Sequence, residues 1–189
     1  MTEVAVSRRE QILATAADLF ARRGFHGVSV ADIGAACGIS GPALYKHFPA
    51  KDAVLAEMLV SISEELLAVG QERVAAAAGV PSTAVRGLVD WHVTFALDRR
   101  ALIVVQDRDW SSLPDQARER VRSLQREYVD LWATQLRLLD PSLGLDAARA
   151  QAHAAFGLIN STPHSGLLPD AAMHDLLASM ALRALGLDA

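Results

Sequence analysis

Cysteine is nearly absent. Cys37 stands alone among 189 residues, so no intrachain disulfide can form, and a reducing compartment is the simplest setting. Aromatic side chains are scarce at 5% of the chain. Long apolar runs are missing: stretches such as Ala101 to Val105 fall far short of a bilayer span. The first ten residues mix acids with bases around no apolar core, so no signal peptide is expected. No segment alternates polar and apolar residues long enough to predict a strand, and no repeat or low-complexity tract exceeds the short Ala75–Ala78 run. These absences predict a cytoplasmic protein with no membrane partner.

Alanine and leucine are plentiful, and both lose little on entering a helix. The net charge of −4 argues against a general nucleic-acid coat. Its distribution says more: residues 1–51 hold six basic and four acidic side chains, and residues 52–189 hold twelve and eighteen. A mildly basic head on an acidic body suits a DNA reader joined to a module of another kind.

Helical periodicity runs almost throughout and predicts an all-α fold of about nine helices. The first helix spans about Arg8 to Arg23, with Ile12, Leu13, Ala16, Leu19 and Phe20 on one stripe and Gly24 as its stop. Ser29-x-x-Asp32 caps a second helix whose inner face is Val30, Ile33 and Cys37. Ser40 caps a short third helix running to Phe48, with Pro42 in its first turn and Leu44 and Phe48 pointing inward. Two helices joined tightly through Gly38-Ile39-Ser40, with a third bracing them, make a helix-turn-helix. Lys51 opens a long fourth helix. Further helices are expected at about 82–99, 101–110, 115–139, 146–160 (or on past Pro163) and 170–185. The division predicted is a DNA-binding domain at 1–52 and a helical domain at 53–189.

The ordered block Gly38-Ile39-Ser40-Gly41-x-x-Leu44-Tyr45-x-His47-Phe48-x-x-Lys51 resembles the DNA-binding domain of the TetR family of bacterial repressors. Ile12-Leu13, Ala16-Ala17, Leu19-Phe20, Gly24-Phe25, Ser29-Val30 and Asp32-Ile33 carry the likeness back along the chain. It covers about a quarter of the sequence. Gly34 and Cys37 depart from the alanines usual in that family. At Gly34 the departure costs roughly 1 kcal/mol of helix propensity, and Cys37 should behave as a small buried hydrophobe.

The exposed face of the third helix carries Ser40, Pro42, Ala43, Tyr45, Lys46 and His47. Lys46 can donate to guanine O6 and N7, while Pro42 and Ala43 offer apolar contact to a thymine methyl. The resemblance implies phosphate contacts from Ser29, Tyr45, His47 and Lys51, groups suited to phosphate oxygens. Packing alone could account for Tyr45 and His47, and a solvated surface for Lys46.

The resemblance also implies a ligand pocket in the later helices and a four-helix dimer interface from the last two. Candidate liners are Trp91, His92, Phe95, Gln106, Trp110, Tyr128, Trp132, Gln135, Phe156 and Asn160, although each aromatic taken singly reads more readily as plain core. Gln135 and Asn160 are the more telling, because burying them unpaired costs about 1–3 kcal/mol. Candidate interface residues are Ala148, Ala152, Ala155 and Ile159 on the eighth helix and Met173, Leu177, Met180 and Ala184 on the ninth. Intramolecular packing is the alternative for both stripes. Arg99, Arg100 and Arg108 could hold an anion, or pair with Asp98, Asp107 and Asp109. The stretches 103–109 and 160–164 are similar to family members that sense acyl-CoA thioesters.

The function expected is therefore a repressor that binds a palindromic operator in double-stranded DNA as a homodimer and leaves it on binding a small-molecule effector. An activator or a ligand-independent regulator fits the same residues. Ser161, His164 and Asp170, or His153 and Asp146, come without a nucleophile elbow, metal-ligand spacing or phosphate loop, so no enzyme, metal or cofactor is expected.

Overall fold

A computed structural model describes residues 7–188. Among these are nine α-helices and no strand: α1 (Arg8–Arg23), α2 (Val30–Ala36), α3 (Gly41–Tyr45), α4 (Lys51–Ala76), α5 (Pro81–Asp98), α6 (Arg100–Asp109), α7 (Asp115–Leu139), α8 (Leu145–Ile159) and α9 (Asp170–Ala184). Two 3₁₀ turns, Trp110–Ser112 and Thr162–His164, follow α6 and α8. The described residues form two compact units: residues 7–61 with 101–120, and residues 62–100 with 121–188.

The first unit is built on caps. Ser7 and Glu10 close a capping box on α1, and Ser29 and Asp32 close another on α2. Gly24 ends α1 at φ 76°, but its ψ of 156° is extended rather than left-handed helical. Gly38, at φ +67°, ends α2 in a Schellman turn: its N–H donates to the Ala35 carbonyl and that of Ile39 to the Gly34 carbonyl, at 3.1 and 2.9 Å. A Cβ on Gly34 would lie 3.0 Å from the Ile39 oxygen, so glycine there lets the turn fold tightly back on the helix. Ile12, Phe20, Ile33, Leu44, Phe48 and Leu55 fill the core beneath. Val30 and Cys37 are only half-buried, so the inner face of α2 is carried chiefly by Ile33.

Residues 101–120 pack with this head. The Arg108 guanidinium donates to the carbonyls of Phe20 and Ala21 at the end of α1 and pairs with buried Asp109. Carbonyls in a helix's last turn lack intrahelical partners, so a cation is well placed there. Of the arginines around α6, only Arg108 pairs with the aspartate expected; Arg99 lies 3.7 Å from Glu65 and Arg100 2.7 Å from Asp170.

The second unit is a bundle whose core runs through Val85, Leu88, Val89, Val93, Ala96, Leu124, Trp132, Leu136, Ala148, Ala152 and Ile159. α8 stops at Ile159, with Asn160 as its cap, so Pro163 sits in the 3₁₀ turn rather than kinking a longer helix. No carbonyl is freed by a proline kink there. The turn is anchored by buried Thr162, whose hydroxyl donates to the Ala96 carbonyl at 2.9 Å. No helix among the described residues is long and apolar enough to cross a membrane.

Candidate nucleic-acid interface and sensor cluster

The α3 face expected to read DNA is presented outward. Leu44 and Phe48 are buried, while Ser40, Pro42, Tyr45 and Lys46 are exposed and Ala43 and His47 are half-exposed. Tyr45 keeps 54% of its surface, too much for a packing residue of its size. Ser40 caps α3 by accepting from the Ala43 N–H at 3.3 Å. The helix is braced from behind by Arg9, which ion-pairs with Glu57, donates to the His47 carbonyl and lies 4.2 Å over the Phe48 ring. One α1 side chain thus ties α3 to α4, a role that sequence spacing did not expose.

Two phosphate candidates have other work. The Lys51 ammonium donates to the Phe25 and Val28 carbonyls, both at 2.7 Å, and sits 4.2 Å over the Phe25 ring. Two of its three donors are therefore committed to the α1–α2 connection. Ser29 donates from both its N–H and its hydroxyl to the Asp32 carboxylate, at 2.8 and 2.5 Å. Those bonds hold Asp32 below the usual carboxylate range, so Ser29 meets an approaching phosphate with a fixed anion at its side. Lys51→Met should accordingly destabilise the head by about 1–3 kcal/mol. Its operator binding should keep the wild-type dependence on salt, because a lost phosphate contact would lower that slope by about one. Denaturant unfolding and a salt titration of operator binding check the two halves.

Eight of the ten sensor candidates lie in the second unit. His92 is their hub. Its Nδ1 is 3.2 Å from the Tyr128 hydroxyl and its Nε2 3.2 Å from Asn160 Oδ1. Its ring stacks on Phe156 at 4.6 Å and meets Trp132 edge-on at 6.0 Å. Trp91 and Phe95 join from the same helix, Trp91 donating from its indole to the Leu66 carbonyl at 3.3 Å. Burial drives His92 down to about 4, against a smaller opposing effect of Asn160. Burial likewise pushes the Tyr128 phenol up, with Trp132 working weakly the other way. The Trp132 indole N–H is buried without a partner in hydrogen-bonding geometry. Gln135 is buried one turn further along α7. Gln106 and Trp110 fall in the first unit, half-buried.

The interface candidates divide. Ala148, Ala152, Ala155 and Ile159 have almost no exposed surface in the single chain, and Met173 and Leu177 are also buried. Side chains already covered by α8 and α9 packing have nothing left to bury against a partner, so these six belong to the intramolecular core. Met180 and Ala184 are exposed on α9, beside Leu176. The hydrophobic period found the stripe but not which of its two sides was already occupied.

Among the described residues no group of three or more histidines, cysteines or acids could hold a metal. Of the catalytic alternative, Asp170 is tied to Arg100.

Comparison with known proteins gives these features a family. Residues 12–58 match the model for bacterial regulatory proteins of the tetR family, and residues 79–185, more than half of the chain, match the tetracyclin repressor-like C-terminal domain. Over 127 residues the chain is 31% identical to the HTH-type transcriptional repressor KstR2 of Rhodococcus jostii, covering 66% of this chain and 61% of that protein. It spans less than a third of the length of four further curated relatives. A TetR-family transcriptional regulator from Bordetella parapertussis superposes with a TM-score of 0.81 at 28% identity, over 92% of this chain and 93% of that one. AibR in complex with isovaleryl coenzyme A and operator DNA shares the fold, with a TM-score of 0.70 at 20% identity over 92% and 97% of the two chains. The chain belongs to the TetR family of bacterial regulatory proteins: it is a transcriptional regulator with a helix-turn-helix reader, not an enzyme.

Proposed function

We propose that this chain represses transcription by binding a palindromic operator as a homodimer, and that a small molecule bound in its second unit releases it. Residues 1–52 read the DNA and residues 53–189 sense and dimerise. The observation that carries the reading is the outward Tyr45-Lys46 face on a helix fixed by the Schellman turn and by Arg9. A helix that short holds its direction only when its neighbours hold it, and a fixed direction is what groove reading requires. KstR2 is named as a repressor, and AibR is named with both operator DNA and an acyl-CoA. Those names favour repression and an acyl-CoA-like effector here.

Residues 101–120 supply a route for the release. They lie between the two stretches of the second unit in sequence, yet Arg108 grips the last carbonyls of α1. A ligand that shifted α6 would act on the reader directly. Its coupling to the operator would be reciprocal and typically about 1–3 kcal/mol.

The dimer is assigned to the outer faces of α8 and α9. On α9 these are Ala172, Leu176, Met180 and Ala184, spaced by four; on α8, Ala147, Gln151 and Ala154 are exposed. Leu176 and Met180 each keep 42% of their surface. Met180→Arg should give a folded monomer that no longer retains operator, since one reader cannot span two half-sites. Light scattering and gel-shift titration test this. A dimeric Met180→Arg with normal operator affinity would overturn the assignment. Ala155→Arg is not equivalent: it would place a charge in the core.

A further inference from the structure

A concave site of about 360 Å³ lies between α7 and α8, lined by Arg122, Gln125, Arg126, Val129, Asp130, Arg149 and His153. It lies wholly within the second unit. We propose that this groove binds the phosphate-bearing end of a small amphipathic ligand.

The register builds it. Arg122 and Arg126 are one turn apart on α7, and Arg149 and His153 one turn apart on α8, so each helix presents a pair to the same cleft. Three guanidiniums and one carboxylate line it, and a second carboxylate, that of Asp146, lies 4.0 Å from Arg149. The lining carboxylate is already engaged, since Asp130 accepts from Arg149 Nε and Nη2 at 2.6 and 3.0 Å. The pair fixes Arg149 in one orientation, so less side-chain freedom remains to be lost when a ligand arrives. Arg122 and Arg126 have protein contacts of their own, so a phosphate exchanges partners rather than meeting bare cations. Planar guanidiniums converging from two sides match the several oxygens of a phosphate or diphosphate better than a single carboxylate. The volume lies at the lower end for small-ligand sites. A cleft of that kind takes a compact headgroup, whereas a DNA backbone would be served by an open basic surface.

The apolar half of the ligand follows from what stands behind the groove. Val129 and Tyr128 are neighbours on α7 and both are buried. The His153 ring meets Phe156 edge-on at 6.1 Å, and Phe156 stacks on His92. One lining residue of the cleft, His153, is thus in ring contact with the aromatic cluster. A ligand with its phosphate in the cleft would direct an apolar body past His153 towards Phe156. Naming that ligand as the effector rests on the sensor reading above; phosphate binding in the groove does not.

Isothermal titration of inorganic pyrophosphate into the full chain tests the site. Wild type should bind at one site, and Arg122→Gln/Arg126→Gln should weaken binding at least tenfold. Arg22→Gln/Arg23→Gln, which removes two exposed arginines from α1, should leave it unchanged. Arg149→Lys keeps the charge, loses the fork and should give an intermediate loss. Circular dichroism confirms that each variant is folded. No binding by wild type up to roughly 10 mM, a Kd weaker than a specific site gives, would overturn the proposal. Equal losses in the α7 and α1 double variants would do the same. A parallel titration against the operator complex separates the two readings: pyrophosphate held in the groove with operator affinity unchanged removes the effector assignment and leaves the groove.

Discussion

Replacing Tyr45 and Lys46 together by alanine should lower operator affinity roughly 100-fold, about 3 kcal/mol. Lys46 contributes the sequence-reading share. A donor pair on guanine O6 and N7 is worth about 1–3 kcal/mol against the wrong base, so Lys46→Ala alone should also relax preference at one base position. Tyr45 contributes the positioning share, which weakens all sequences alike. The helix beneath should survive, because its stability comes from buried Leu44 and Phe48 and from the Arg9 brace, none of which either substitution touches. The operator is first obtained by selection from random DNA. Affinity is then measured for wild type, both single variants and the double variant at one fixed salt concentration, since such affinities fall steeply with salt. A double variant that binds within a factor of two of wild type would show that another surface reads the DNA.

That face was legible in the sequence because its determinants are local. Caps, turn glycines and a three-and-four apolar period are fixed within ten residues of one another, and Ser29, Gly38, Ser40, Leu44 and Phe48 announced both helices and their inward sides. The long-range ties were not legible. Arg9 reaches Glu57 across 48 positions and Arg108 reaches Phe20 across 88; nothing in their neighbourhoods marks one arginine as a brace and another as solvated. The carbonyl contacts of Lys51 were hidden for a related reason. A lysine at a helix start suits a phosphate and a pair of loop carbonyls equally well, and only the folded path of residues 25–28 decides between them.

The same limit applies in the second unit. Periodicity identified α8 as having a small-residue stripe, yet a stripe fits a partner chain and the chain's own helices alike. That polar side chains would be drawn into the buried cluster was easier to forecast, because Asn160 and Gln135 on apolar faces carry an energetic demand that Trp91 or Phe95 does not. The groove went unseen although its spacing was present. Arg122 and Arg126 are exposed arginines one turn apart, and their meeting with Arg149 and His153 depends on how α7 and α8 pack.

The hub of that cluster should make the protein's stability depend on pH through one residue. The neutral His92 ring is satisfied on both sides if Nε2 donates to Asn160 Oδ1 and Nδ1 accepts from the Tyr128 hydroxyl. A second ring proton would need Tyr128 to accept instead and send its own proton elsewhere, in surroundings made of rings. With its folded-state value lowered from 6.5 to about 4, the native protein refuses a proton that the unfolded chain accepts between those limits. The unfolded state then binds more protons, so stability rises with pH across the window and falls as pH drops from about 6.5 towards 4. The slope approaches about 1.4 kcal/mol per pH unit, and the whole loss is about 3 kcal/mol by the lower end. His92→Gln keeps an amide that can bond to both neighbours and removes the titration. Its urea midpoint should be lower than wild type at about pH 7, through imperfect packing, and the gap should close as pH falls to about 4.5. Midpoints of the two proteins that run parallel over that range would mean that His92 is reached by water in the native state.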